Sequence, residues 1–287
     1  MKNFKIKSYC KINLSLRVLK KLKNGYHNIT SLITFCDLHD IILISKIKNS
    51  KDVINFTGKF NKGISKKFNT ITNLLSLLRK RKLLKNQSFR ITIKKNIPQG
   101  SGLGGGSSNA ASLLKYLNKK MRLNLKKEML FKIGKRIGFD VPVMYEKRNI
   151  FLNGDNKNIF KIRKKFNFNL IIVYPNIICS TKKIYQKNVN ISFKNSLPSF
   201  NNQNKDQLFK YLKNESNDLQ GSAIKIYPKI EKLINYIGTI RGCFLSRMTG
   251  SGSACIGIFT NKENAIYAKK LIKLKYPKYW CVISKTI

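Results

Sequence analysis

Pro98-Gln-Gly-Ser-Gly-Leu-Gly-Gly-Gly-Ser-Ser-Asn-Ala-Ala111 is a glycine-rich loop that runs into the start of a helix. Five of the seven residues from Gly100 to Gly106 are glycine, so the backbone can take positive φ angles and approach a ligand with no Cβ in the way. Ser107 and Ser108 then place hydroxyls where a helix has unpaired N–H groups and the positive end of its dipole, the conditions for holding a phosphate. The flanks agree. Phe89, Ile91 and Ile93 alternate with Arg90, Thr92 and Lys94 as in a half-buried strand, while Ala110, Leu113, Leu114 and Leu117 have helical spacing. The segment reads strand, loop, helix.

Other loops of this general kind fit less well. A Walker loop ends in Gly-Lys-Ser/Thr to put an ammonium on the terminal phosphates, and no lysine stands between Gly100 and Asn109. A dinucleotide fingerprint is matched literally by Gly100, Gly102 and Gly105, but its strand should be apolar on both faces and an acid should follow a second strand. Here the strand alternates and no acid occurs from residue 118 until Glu128. A flexible tether would not carry Leu103 and the Ser-Ser-Asn end.

The chain has 287 residues and is 42% apolar, enough for one large or two modest domains with a true core. The lysine-bearing N-terminal stretch has no apolar run long enough for a signal peptide or membrane span. Six cysteines at 10, 36, 179, 243, 255 and 281 form no Cys-x-x-Cys pair, and only His27 and His39 could join them at a metal, so a reduced, cytoplasmic protein is expected. The net charge is +46, from 58 Lys plus Arg against 12 Asp plus Glu. Such charge suits a polyanion partner. Yet lysine is spread through every segment and no arginine stripe interleaved with aromatics marks a nucleic-acid face. Compositional drift is the simpler account, and no specific nucleic acid and no membrane are expected as partners.

Periodicity predicts strands over Ser8–Leu19 with a break after Asn13, over Ser31–Phe35, Ile41–Ser45 and Leu170–Tyr174, near Cys243, and over Ala254–Phe259. Helices are expected over Thr72–Lys82, Leu125–Ile137, Asp206–Leu212, Asp218–Ile226, Lys229–Tyr236 and Glu263–Leu274, with a polar loop over 188–206. The pattern is an α+β protein of two domains, 1–160 and 161–287.

Because acids are scarce, each is informative. Asp140 lies in Gly138-Phe-Asp-Val-Pro142, where Pro142 restricts Val141 to extended backbone. A carboxylate there can take or orient a hydroxyl proton, or it can merely cap a turn. Lys11 and Asn13 share one face of a strand, opposite Ile12 and Leu14. Spacing alone does not set Lys11 apart from the many surface lysines. Asn24-Gly-Tyr-His27 is a turn that either stacks a base or packs its Tyr. Arg247-Met-Thr-Gly-Ser-Gly-Ser-Ala-Cys255 is a second glycine turn, which either braces the first loop, lines a phosphate site or closes a hairpin.

Taken in order, Lys11-Ile-Asn-Leu14, the central Pro98–Ala111 run and Thr249-Gly-Ser-Gly-Ser-Ala254 resemble the three motifs of the GHMP kinase superfamily of small-molecule kinases. Gly25–His27, Leu38–Asp40 and Gly138–Pro142 narrow the resemblance to the branch that acts on a cytidyl diphosphate alcohol in non-mevalonate isoprenoid precursor synthesis. The resemblance implies an N-terminal domain like ribosomal protein S5 domain 2, a ferredoxin-like C-terminal domain, and transfer of the γ-phosphoryl of ATP, with Mg²⁺, to the 2-hydroxyl of the methylerythritol moiety. It implies Asp140 and Lys11 as catalytic. Pro98, Gln99, Gly100, Ser101, Gly102, Leu103, Gly104, Gly105, Gly106, Ser107, Ser108 and, beside the adenine, Asn69 would bind ATP. Asn13, Tyr26, His27, Thr181 and Tyr185 would bind the substrate. No metal residue is named, since no second carboxylate accompanies Asp140 and ATP phosphates with water can hold the ion. Phe139 departs from the small residue common beside the catalytic acid. A monomer or weak homodimer is expected. Other readings are a homoserine or mevalonate-type kinase, which has no cytosine to explain Gly25–His27, and an RNA-binding protein using the charge.

Overall fold

The computed structural model describes residues 4–22, 25, 27–154, 158–188 and 204–287. In chain order the elements are β1 Phe4–Asn13, β2 Arg17–Lys21, β3 His27–Ile47, β4 Val53–Thr57, α1 Thr70–Lys80, β5 Ser88–Lys94, α2 Gly105–Lys120 and α3 Lys127–Ile137. A short 3-10 turn, Val143–Tyr145, precedes β6 Ile150–Gly154, β7 Asn158–Lys161 and β8 Asn169–Tyr174. Then come α4 Thr181–Lys187, α5 Lys205–Asn214, α6 Leu219–Ile226, α7 Lys229–Thr239, β9 Cys243–Met248, β10 Cys255–Phe259, α8 Lys262–Lys275 and β11 Trp280–Lys285. Two compact units result: residues 1–10, 38–99 and 104–147 in the first, and 11–37, 100–103 and 148–287 in the second.

In the first unit, β5 pairs antiparallel with the C-terminal half of β3, Ile41 opposite Lys94 and Ile47 opposite Ser88, and parallel with β4. Its alternation is the one expected: Phe89, Ile91 and Ile93 are buried while Arg90 and Lys94 are exposed. The helices α1, α2 and α3 pack on one another. Leu113, Leu114 and Leu117 of α2 are completely buried, each burial stabilising by about 2 kcal/mol, which outweighs the poor helix propensity of Gly105, Gly106 and Asn109. Asn69 starts α1 with a capping box, its side chain accepting from Ile71 N–H and Thr72 N–H.

In the second unit, β11, β8, β10 and β9 form an antiparallel sheet in that order. With α7 packed on β9 and β10, and α8 on β11, β8 and β10, the β-α-β-β-α-β succession with strand order fourth, first, third, second is the ferredoxin-like arrangement. The central β10 is buried throughout, as an apolar run covered on both faces should be. The N-terminal half of β3 also lies in this unit, paired with β2 and β6.

One expectation is corrected. The strands placed at Ser31–Phe35 and Ile41–Ser45 are a single strand, β3. Asp37, His39 and Asp40 interrupt the apolar pattern, but the acids are paired rather than solvated: Asp37 takes the Lys285 N–H at 3.1 Å and Asp40 is fully buried among donors. The short strands β4, β6, β7 and β11 and helix α4 are additions that the apolar pattern did not mark. Most of the loop expected over 188–206 lies outside the described residues.

Candidate active site

The second unit gathers one set of the expected residues. Lys11 and Asn13 end β1 with 5% and 3% exposure, and the Lys11 ammonium donates to Asn13 Oδ1, as the shared strand face requires. Asn13 is pinned further: its N–H donates to Thr249 Oγ1 at 2.9 Å and its Nδ2 to Ser31 Oγ at 2.8 Å.

The second glycine turn, whose role was open from sequence, closes the β9–β10 hairpin, with Thr249 N–H donating to Ala254 O at 3.0 Å, and also reaches the first loop. Ala254 N–H donates to Ser101 O at 3.0 Å and Lys11 N–H to Leu103 O at 3.1 Å. Gly102 has φ +77°, and a Cβ on it would stand 2.1 Å from Thr249 O; one on Gly250 would stand 2.8 Å from Gly102 O and 3.0 Å from Lys11 Nζ. The turn therefore braces residues 100–103 backbone to backbone, beside the Lys11 ammonium. Gly100 O also takes the Cys179 N–H at 3.1 Å.

Thr181 opens α4 and shares a 2.9 Å hydrogen bond with Ser251 of the same turn. One helical turn on, Tyr185 stacks on His27, ring centroids 4.9 Å apart and planes at 28°. Burial, aided by the charge of Lys21, holds the His27 pKa below its ordinary value. Tyr26 lies outside the described residues. Arg247, which sequence reading quoted only as part of the turn, is 6% exposed and donates to Leu14 O at 2.6 Å and Leu212 O at 2.8 Å, holding the chain just after Asn13. Burial pushes its pKa down to about 10.

The first unit holds the other set. Gly104 is the N-cap of α2 at φ 70°, and no side chain caps the helix. Gly106, one residue into the helix, is exposed, and a Cβ there would find nothing nearer than 3.7 Å, on Thr70. No positive φ and no neighbour requires glycine at 106, although glycine weakens a helix. What it does is bare the N–H groups of the first turn at the positive end of the dipole, a surface that fits a phosphate chain. Gly105 is packed from within, since a Cβ on it would stand 3.0 Å from Ile97 Cγ2.

Ser108 is spent on structure: its buried hydroxyl donates to Tyr9 O at 2.6 Å and accepts from Ser8 Oγ at 2.9 Å. Asn69 is spent likewise, its oxygen capping α1 and its Nδ2 donating to Ser65 O at 2.9 Å. The next residue, Thr70, donates to Gly106 O at 2.9 Å and so ties that cap to the start of α2. Gln99, which follows Pro98, donates to Lys62 O at 2.9 Å.

Asp140 is half-buried in the segment that leaves α3. Val141 N–H donates to Gly138 O at 3.1 Å and Met144 N–H to Asp140 O at 3.2 Å, while the 3-10 turn that follows packs on α2. A Cβ built on Gly138 would lie 4.0 Å from Ser107 Oγ, so this segment runs beside the start of α2. A segment that carries a carboxylate and runs beside the start of α2 offers a group able to take or orient a hydroxyl proton near a phosphate. Sequence reading quoted Asp40 and Asn109 only within motifs and passed over Lys95, yet the three form a buried cluster at the ends of the glycine loop. Lys95 carried no signal among 58 basic residues. Among the described residues no three His, Cys, Asp or Glu side chains gather as a metal site, and no helix is long and apolar enough to cross a membrane.

The chain matches the GHMP kinases N terminal domain over residues 69–147 and the GHMP kinases C terminal domain over 196–272. It is 43% identical over 289 aligned residues, covering 100% of both chains, to the 4-diphosphocytidyl-2-C-methyl-D-erythritol kinase of Pelagibacter ubique (strain HTCC1062). The chain belongs to the 4-diphosphocytidyl-2-C-methyl-D-erythritol kinase family of the GHMP kinases. The family member of Wolbachia pipientis wMel is 34% identical, with 98% of this chain and 97% of that one covered. Among solved structures, a 4-(cytidine 5'-diphospho)-2C-methyl-D-erythritol kinase shares the fold with a TM-score of 0.78 at 22% identity, covering 98% and 99% of the two chains. The homoserine kinase from Cytophaga hutchinsonii shares it at 0.73 and 14%, covering 100% and 95%. As a GHMP kinase the chain is a phosphotransferase with ATP as donor and a small molecule as acceptor.

Proposed function

We propose that this kinase transfers the γ-phosphoryl of ATP to the 2-hydroxyl of 4-diphosphocytidyl-2-C-methyl-D-erythritol, in the methylerythritol phosphate route to isoprenoid precursors. The observation that carries the donor side is the uncapped start of α2 with its bare Gly106. Pro98 to Ser108 form the loop around the phosphates, and Asn69 lies toward the adenine. Asp140 orients the acceptor hydroxyl and takes its proton, and Lys11 supplies the cation that the loop lacks. Asn13 and Thr181 lie toward the acceptor, and Tyr26, His27 and Tyr185 receive the cytosine; the His27–Tyr185 stack supports this, because a flat base adds to stacked rings. When bound, Mg²⁺ would offset the charge that develops on the phosphates during transfer. ATP phosphates and water would hold it.

In this reading residues 1–160 bind ATP and 161–287 form the C-terminal domain, a cut that falls between the two matched ranges. The enzyme works in the cytoplasm as a monomer or weak homodimer without a specific nucleic acid. In a coupled assay, ADP should be released only when Mg-ATP and the cytidyl alcohol are both present, and not with homoserine or mevalonate. Asp140→Asn should lower kcat by about 100-fold with both KM values little changed. Turnover of homoserine or mevalonate at comparable kcat/KM, or an Asp140→Asn variant retaining more than roughly a tenth of kcat, would overturn the assignment.

A further inference from the structure

Asp40 is completely buried on β3 and surrounded by donors within the first unit. Its Oδ1 accepts the N–H groups of Asn96 at 2.7 Å and Ile97 at 2.9 Å; its Oδ2 accepts from the Lys95 ammonium and from Asn109 Nδ2 at 3.1 Å. Lys95 is 3% exposed and Asn109 2%. Burying an ion pair costs desolvation that a well-packed apolar pair avoids, so stability alone is a weak reason for one.

The partners suggest another reason. Asn96 and Ile97 are the last residues before Pro98, where the glycine loop begins, and Asn109 is on α2, just after it ends. One carboxylate thus grips the chain on both sides of the loop. Gly105 rests directly on this cluster, since a Cβ there would stand 3.0 Å from Ile97 Cγ2 and 3.4 Å from Lys95 Nζ.

We propose that Asp40, with Lys95 and Asn109, is the positioning unit of the ATP-phosphate loop, setting the direction in which the N–H groups of Gly105, Gly106 and Ser107 point. This rests on the reading of that loop as the ATP cradle. Asp40→Asn keeps the size and one acceptor oxygen but turns an amide toward the Lys95 ammonium. It should raise KM for ATP about 10-fold or more, because small misplacements of binding groups are costly, and leave KM for the cytidyl alcohol unchanged.

Adding Lys95→Met removes the unpaired charge. Asn109 Oδ1, buried without a hydrogen-bond partner, can then accept from the new amide, so the double variant should bring KM for ATP back toward the wild-type value. Asn109→Leu, which leaves the ion pair intact, should raise the same KM by a smaller factor and decides the matter if Asp40→Asn does not fold. Unchanged KM for ATP in the folded variants, with only the melting temperature lowered, would reduce the cluster to a structural support. A wild-type enzyme that fails to bind a fluorescent ATP analogue would instead bring down the cradle reading itself, and this inference with it.

Discussion

At the scale of single residues, His27 offers a test that proton chemistry makes specific. Its ring lies on Tyr185, and burial first, then Lys21, holds its pKa below the ordinary 6.5. The folded protein therefore takes up this proton later than the unfolded chain does. The stability this group contributes is present above about 6.5 and is lost as pH falls below that value toward the folded pKa. A neutral imidazole can both stack and accept a hydrogen bond from a base; an imidazolium cannot accept. KM for the cytidyl substrate should be flat from about pH 8 to 6.5 and rise only in more acidic solution, and His27→Gln should abolish that acid limb. A rise that begins near neutrality in the wild-type enzyme would contradict the lowered pKa. Single positions also mark the limit of reading from sequence. Lys11 and Asn13 sharing a face followed from strand geometry, whereas Ser108 and Asn69 proved to be engaged in bracing β1 and capping α1. The partners of Ser108, Ser8 and Tyr9, lie about a hundred positions away, whereas those of Asn69 are its own neighbours Ser65, Ile71 and Thr72.

At the scale of elements, two glycines of one loop have opposite reasons for being glycine. Gly102 is required by the protein, with φ +77° and Thr249 O where a Cβ would be. Gly106 is helical and unobstructed, so Gly106→Ala should raise the melting temperature slightly, by roughly 0.5 kcal/mol of stability, while raising KM for ATP because a methyl group meets the phosphates. Gly102→Ala should lower the melting temperature instead. Thermal melts and ATP kinetics on the two variants check both signs; a Gly106→Ala enzyme with unchanged KM for ATP would remove the phosphate contact. Longer elements were legible from period alone: α1, α2, α3, β5 and β8 lie close to where apolar spacing put them. The paired strands expected around Asp37 were not, because charges in a sequence look like a loop until their partners are known.

For the whole molecule, a net charge of +46 means strong self-repulsion in any compact state. Raising NaCl from about 0.1 to 1 M shortens the screening length from about 10 to 3 Å. The melting temperature should therefore rise with salt, and any retention on RNA should fall away over the same range. A melting temperature that drops as salt is added would show that attractive pairs such as Arg17–Glu215 and Arg79–Asp52 outweigh the repulsion. By itself the sequence determined the α+β class and the family and singled out the glycine loop as a candidate phosphate site, because glycine spacing and apolar period are local properties that a few adjacent residues carry. Only the tertiary structure decided that the Thr249–Ala254 turn is a brace on that loop, that His27 stacks on Tyr185, and that Asp40 holds the loop from both sides. Those are contacts between residues dozens to more than a hundred positions apart, and folding alone brings them within hydrogen-bonding reach.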